Sequence, residues 1–294
     1  MNANGQFGLH SISGDAAAAF EALAHVQLVV SDCDGTLLHT DKSISEHAKD
    51  AVRRLRQAGV EFTVASSRPG AGMRYIVETL GVDMPYASYN GGNLVQPGTW
   101  EVLAAHKLPR DAVQTSLEAL ASAGVDAWVF VGDVWYLTNP DGAYVPRERR
   151  TVGYDGVLVQ RFDDVDLDAV DKIVGSTADA PLLERVEAQL QTQLEGRANA
   201  ARSQSYYLDI THLLANKGDA VRELAKRRKV PLERVAVLGD MSNDIAMFDI
   251  AGTSIAMGQA SDAVQRRASL VSSTNDEDGF AVGINALLSA RGVA

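Results

Sequence analysis

The run Asp32-Cys33-Asp34-Gly35-Thr36 sets two carboxylates one residue apart beside a glycine. There, one carboxylate can attack phosphorus and bind a hard cation while the other carries protons. The same spacing also suits a calcium loop or a plain turn, although the later ligands and closing Glu of an EF-hand are missing. Ser66-Ser67-Arg68 offers a hydroxyl and free N–H groups that suit a phosphoryl oxygen, or that simply cap a helix. Lys217, in Asn216-Lys217-Gly218, reads on its own as a solvated surface cation. Gly239-Asp240-Met241-Ser242-Asn243-Asp244 brings carboxylates at i and i+4 and an amide at i+3. That set can complete a magnesium site, or it can be a capped turn in which Asn243 or Asp244 starts a helix.

The elements around these residues give them a common place. Val26–Val30 is an apolar run ending at Asp32, and Val60–Ala65 is a second one ending at Ser66. Between them Ile44, Ala48, Ala51, Val52 and Leu55 share a helical face. Ser43 or Ser45 can cap that helix, Glu46 is placed for a capping box with Ser43, and Gly59 ends it. A further helix follows Arg68-Pro69 and stops at Gly81. The alternation returns late in the chain. Helices are expected at Lys217–Lys229, Asn243–Ile250 and Asp278–Leu288, with strands at Val235–Leu238 and Thr253–Met257. Strands alternating with helices predict a parallel Rossmann-like sheet with right-handed crossovers, and ligands gather at the carboxyl ends of such strands. Asp32, Ser66 and Asp240 all fall at that edge.

The middle of the chain reads differently. A helix at Arg110–Ala123 precedes strands Ala127–Val131 and Val134–Leu137, joined by a tight Gly132-Asp133 turn. A strand at Lys172–Val174, a helix at Pro181–Leu194 and a strand at Ser205–Ile210 follow. The expected organisation is an α/β core of residues 25–90 and 209–294, an inserted α+β domain at 91–208, and an N-terminal extension, 1–24. Within that extension residues 1–14 are expected to be mobile and Asp15–Ala24 to add a short helix.

Composition narrows the function classes. The 294 residues are 46% hydrophobic and 22% charged, an ordinary globular balance. The net charge of −11, with Lys and Arg scattered, argues against a nucleic-acid partner. It does not exclude a phosphate ester, which a local Lys, backbone N–H groups and a divalent cation can hold. The single cysteine, Cys33, rules out an internal disulfide framework and a multi-cysteine zinc site, and the six histidines show no zinc-enzyme spacing. No stretch approaches the roughly 18 apolar residues of a membrane span. The segment Met1–Gly14 lacks the features of a secretion signal, so a cytoplasmic enzyme is expected. Oligomeric state is not legible.

Taken in order, Asp32-x-Asp34-Gly35-Thr36, Ser66, Lys217 and Gly239-Asp240-x-x-Asn243-Asp244 resemble the four motifs of the haloacid dehalogenase superfamily. The insertion resembles its type-2 cap, and Asn90-Gly91 resembles the turn before the cap in Cof-type phosphatases. The resemblance covers residues 26–290, the cap only in outline. It implies a magnesium-dependent phosphatase for a small phosphorylated metabolite, a sugar phosphate first and a nucleotide or pyridoxal phosphate behind it. Asp32 would be the nucleophile and Asp34 the acid and then the base. Mg2+ would be held by Asp32, the Asp34 carbonyl and Asp240, with Asp244 direct or through water. The N–H groups near Cys33 and Ser67, with Ser66, Lys217 and Asn243, would bind the phosphoryl oxygens. Asn90 and Gly91 would meet the substrate. Within the insertion the aromatic and charged cluster Trp135, Tyr136, Tyr144, Arg147, Glu148, Arg149 and Arg150 either supplies substrate contacts, Tyr144 and Arg147 first, or is a mixed surface with aromatic packing. The family's second motif usually reads Thr-Gly-Arg, so Ser67 adds a side chain where a glycine lets phosphate approach. A phosphosugar mutase and a non-catalytic phosphate-sensing module are the competing readings.

Overall fold

Apolar runs and one-sided helices build the first half of a parallel sheet. The computed structural model describes residues 8–10 and 16–293. Helix α1 (Ala16–Leu23) leads into strand β1 (Leu28–Ser31), buried at every residue. Helix α2 (Glu46–Gln57) turns Ala48, Ala51, Val52 and Leu55 inward, the i, i+3, i+4, i+7 stripe of an amphipathic helix. Ser45 caps it, its hydroxyl accepting from the Ala48 N–H at 3.0 Å. The capping box expected between Ser43 and Glu46 does not form. Glu46 is the first helical residue rather than the third, and its carboxylate pairs with Lys49. Strand β2 (Glu61–Val64) follows, then a 3₁₀ turn at Ala71–Met73 running into α3 (Arg74–Leu80), which Gly81 ends at φ 62°.

Three short strands come next, β3 (Tyr86–Ser88), β4 (Asn93–Val95) and β5 (Val102–Ala105), paired antiparallel. None was anticipated, because each is too short to show a period. The inserted domain then runs α4 (Arg110–Ser122), β6 (Asp126–Val131), β7 (Val134–Leu137), α5 (Val145–Val152), β8 (Val157–Leu158), β9 (Lys172–Ser176), α6 (Ala180–Gln193), β10 (Ala198–Gln204) and β11 (Tyr207–His212). Its six-stranded sheet has the order β10-β11-β9-β6-β7-β8, antiparallel except at β7–β8. The strand expected at Ser205–Ile210 begins at Tyr207, since Ser205 and Tyr206 make the turn from β10. Strand β10 itself escaped notice because it contains no β-branched or aromatic residue to signal it.

The chain returns through α7 (Lys217–Arg228), β12 (Val235–Gly239), α8 (Ile245–Phe248), β13 (Thr253–Ala256), α9 (Asp262–Gln265), β14 (Leu270–Val271) and α10 (Gly279–Ala290). The core sheet is wholly parallel, in the order β14-β13-β12-β1-β2. Ser31 of β1 is level with Leu238 of β12 and Val64 of β2. Asp32, Asp240 and the Ser66 loop therefore leave the sheet at one height.

Strand β3 continues this core beyond β2 through the Ala65–Ala87 bridge, and Leu94 and Val95 are buried in the same cluster as β1 and β2. Strand β11 stays in the cap sheet as far as His212, which pairs with Ala198 of β10. We place the two crossings between core and cap near His106 and His212, whose rings stack 5.3 Å apart, rather than at 91 and 208. Of the N-terminal segment, residues 1–7 and 11–15 lie outside the described residues. Leu9 is buried and His10 pairs with Val271, so that short stretch is held in place rather than mobile. Among the described residues no helix is long and apolar enough to cross a membrane.

Candidate active site

The strand tips bring four of the expected residues into direct contact. Lys217 enters at the first position of α7, whose Asn216 cap accepts from the Asp219 N–H. Its ammonium, only 1% exposed, donates to Asp32 and, at 2.6 Å, to Asp244. The other Asp244 oxygen accepts from the N–H groups of Asp240 and Met241, both at 2.9 Å. Asp240 accepts from the Thr36 hydroxyl at 3.0 Å and faces the Gln259 amide at 3.5 Å. The carboxylate oxygens of Asp32, Asp240 and Asp244 lie within 4.8 Å of one another.

Glycine shapes both loops. A Cβ on Gly35, at φ +83°, would stand 2.4 Å from Asp240 Oδ2, and one on Gly239 would stand 2.4 Å from the Asp244 carboxyl carbon.

Three buried carboxylates stand together, and among the described residues one ammonium contacts two of them, so their charge is not balanced. Burial pushes the Asp32 carboxyl well above its usual range; Lys217 opposes this, while Asp244 and Asp240 add to it. Burial and the Asp244 charge push Asp240 up to about 6. Burial works against the Lys217 ammonium, yet Asp244 and Asp32 outweigh it and hold the proton firmly. An excess of negative charge presented only through oxygen atoms is the donor set of a hard divalent cation, and these residues fit Mg2+.

Asp34 points elsewhere. Arg68 grips its carboxylate with two N–H groups, at 2.6 and 2.7 Å, and Lys42 adds a third contact at 2.7 Å. Burial would raise this carboxyl, but the Arg68 fork and Lys42 override it and hold it below the ordinary carboxylate range. Arg68 also donates to the carbonyl of Thr151 at the end of α5, so one guanidinium touches both Asp34 and the cap.

The remaining expected residues divide. Cys33 is wholly buried, and burial pushes its thiol far up, which leaves it inert. The Ser66 hydroxyl is also buried and accepts from the Arg68 N–H at 3.2 Å. Ser67 and Asn243 line a cavity of about 540 Å3 together with Asp32, Asp34 and Arg147. Asn90, held at φ 58°, accepts from the Asn243 amide at 3.0 Å. Gly91 instead meets the start of α7, where a Cβ would come within 2.8 Å of Asn216 O and Ala220. Tyr144 stacks on Tyr206 at 4.4 Å, and Arg147 lies over and donates to Tyr206. Thr36, Lys42 and Gln259 went unmarked as site residues. Thr36 stands in the first motif without a role of its own, and Lys42 and Gln259 are isolated polar residues until the fold brings them to Asp34 and Asp240.

The sequence profile of haloacid dehalogenase-like hydrolases matches residues 29–284, nearly the whole of both domains. The chain belongs to the haloacid dehalogenase-like hydrolase family. The pyridoxal phosphate phosphatase YbhA of Escherichia coli (strain K12) is 26% identical over 265 residues, covering 87% of this chain and 96% of that protein. The 5-amino-6-(5-phospho-D-ribitylamino)uracil phosphatase YwtE of Bacillus subtilis (strain 168) is 24% identical over 291 residues, covering 90% and 99%. A crystal structure of a haloacid dehalogenase-like hydrolase from Bacteroides thetaiotaomicron superposes with a TM-score of 0.80 at 28% identity, over 88% of this chain and 98% of that one.

In this haloacid dehalogenase-like hydrolase the cap is held down on the core. Asp133, at the tip of the β6–β7 hairpin, accepts from the Ala71 N–H at 2.8 Å and from Arg74 at 2.6 Å. Tyr89 donates to Gly132 O at 2.7 Å, and Lys172 of β9 donates to Ser67 O at 3.3 Å. Glu148 of α5 lines the same cavity, where burial, with Asp209 adding to it against Lys172, pushes its carboxyl up to about 7.

Proposed function

We propose that this haloacid dehalogenase-type phosphatase hydrolyses the phosphate ester of a small metabolite, a sugar phosphate first among the candidates, through a phosphoryl group carried on Asp32. The observation that carries the reading is the Asp32 carboxylate itself. It stands at the tip of β1 against Lys217, Asp240 and Asp244, and it faces a cavity roofed by the cap.

In the first half-reaction an Asp32 oxygen bonds to phosphorus and the ester P–O bond breaks. The electron pair goes to the leaving oxygen, which takes a proton from Asp34. In the second, water attacks phosphorus, Asp34 takes the water's proton, and the bond to Asp32 breaks to release inorganic phosphate. The Arg68 fork and Lys42 hold Asp34 ionised in this conformation, which supports the second half. The first half needs a protonated Asp34 and hence a looser fork. Because Arg68 also holds Thr151 of the cap, that loosening is tied to cap movement.

Mg2+ would be held by Asp32, the Asp34 carbonyl and Asp240, with Asp244 direct or through water, and when bound would neutralise charge on the transferring phosphoryl group. Lys217, the Ser66 hydroxyl, Asn243 and the N–H groups near Cys33 and Ser67 orient the remaining phosphoryl oxygens.

The test is phosphate release from p-nitrophenyl phosphate and a panel of phosphorylated metabolites, with Mg2+ and after chelation. Magnesium-dependent release is expected. Transfer to a second sugar in place of water would mark a mutase, and no turnover of any ester would mark a sensing module. Gly35→Ala tests the cation site separately. Its Cβ would displace Asp240, so half-maximal activation is expected to need at least about tenfold more Mg2+ with the fold intact. An unchanged requirement would remove Asp240 from the site.

A further inference from the structure

The side of the cap sheet that looks toward the catalytic carboxylates carries a buried ion pair. Alternation along the strands fixes its direction. Ile173, Leu208 and Ile210 are buried in the apolar cluster beneath α4 and α6, so Lys172, Asp209 and Thr211 face the opposite way. Asp209 pairs with Val174 and Thr211 with Lys172 across the β11–β9 ladder, which makes Lys172 and Asp209 diagonal neighbours.

Lys172 Nζ donates to Asp209 Oδ2 at 2.9 Å and to Ser67 O at 3.3 Å. An ammonium has a third N–H, and Lys172 lines the cavity that holds Asp32 and Asp34. Asp209 is 5% exposed, and its Oδ1 has no hydrogen-bond partner among the described residues. It lines an adjoining cavity of about 480 Å3 that also touches Lys217 and Asn243. Asn243 lines both cavities, and its own Oδ1 is likewise buried without a partner.

We propose that the Lys172–Asp209 pair is a specificity element that reads a hydroxyl group of the leaving alcohol, with Asp209 Oδ1 accepting and Lys172 donating. This rests on the phosphatase reading above and adds to it which cap residues choose the ester. The charges select the ligand chemistry. Lys172 repels an amine, Asp209 repels a second anion, and a hydroxyl is both donor and acceptor. Asp209 Oδ1 is sealed while the cap is down, so the hydroxyl must be carried in before closure. Its recognition is thereby linked to closure. Arg147 and Tyr206, at the outer wall of the cavity, then meet whatever lies beyond that hydroxyl.

The test compares kcat/KM for glycerol 3-phosphate with n-propyl phosphate, and for ribose 5-phosphate with its 2-deoxy analogue, with p-nitrophenyl phosphate as control. The wild type is expected to prefer at least one hydroxylated partner by about tenfold or more. Breaking one half of a buried pair risks the fold, so the decisive variant is the double replacement Lys172→Met with Asp209→Leu, which leaves no lone charge. In that variant the preference is expected to collapse to about twofold or less, while p-nitrophenyl phosphate hydrolysis stays within about threefold. A wild type active on every ester but indifferent to the hydroxyl overturns the inference alone. So does a folded double variant that keeps its preference, or one in which all esters fall in parallel. A wild type that hydrolyses none of them overturns the phosphatase reading, and this inference with it.

Discussion

Asp32→Asn is expected to lower kcat by about 10⁴-fold or more and to leave the unfolding temperature at neutral pH no lower than that of the wild type. The first half follows from chemistry. The amide keeps the shape and still accepts from Lys217, but it has no anionic oxygen to bond to phosphorus. The second half follows from electrostatics. The Asp32 carboxyl is pushed above its ordinary value by burial and by Asp244 and Asp240. The folded protein therefore binds that proton more tightly than the unfolded chain does. Stability is lost as pH rises from the ordinary carboxylate value of 3.8 towards the raised folded value, and above that the whole penalty is present. Asparagine is neutral at every pH and removes the penalty. Steady-state kinetics, a search for a trapped phosphoenzyme and thermal scans at several pH values check both halves. A folded variant with activity within about tenfold of wild type would rule out Asp32 as nucleophile. A markedly lower unfolding temperature would show that the cluster is balanced rather than overcharged.

The contrast between what the sequence carried and what it hid has a physical basis. Asp32, Ser66 and Asp240 were legible because each follows an apolar strand, and parallel strands in one register deliver their tips to one edge. Lys217 was legible only in company with them, since a lone Lys at a helix start carries no signal until Asp32 and Asp244 converge on it. The cap resisted. Strand β10, with its Ala, Asn, Arg, Ser and Gln residues, forms because β11 and α6 lie against it, and such pairing leaves no local trace. Helix α5 left no expectation in the sequence either, although Arg147, which it carries, was marked for the substrate and lines the cavity with Glu148. Lys172 and Asp209 did leave a faint mark, a charge inside an expected strand. Their pairing depends on a register between segments 37 residues apart in the chain, which the sequence does not state. Tyr144, marked for substrate contact from its aromatic and charged cluster, stacks on Tyr206, which lines the cavity.

Lys217→Met should have the largest combined effect on activity and stability. Among the described residues the ammonium is the only cation in contact with both Asp32 and Asp244, and all three side chains are buried. Removing one member of a buried ion pair commonly costs about 3–5 kcal/mol, because the partner charge stays behind. Here two carboxylates stay behind, beside an Asp240 already pushed up to about 6. The Asp32 carboxyl, already raised by burial, climbs further once the Lys217 charge that opposes this is gone, so the variant should lose stability as pH rises from the ordinary carboxylate value of 3.8 through that raised range. Its deficit against wild type should be small near pH 4 and full near pH 8, about 3 kcal/mol or more. Divalent cation should recover part of it, since binding to the folded state alone stabilises by mass action. Activity should fall by about 10³-fold even with cation present, through loss of a donor aimed at the transferring phosphoryl group. Denaturant unfolding from pH 4 to 8, with and without Mg2+, measures all of this. If the deficit did not vary with pH, Lys217 would be acting through its packed methylene stem, and the charge balance assigned to this cluster would be wrong.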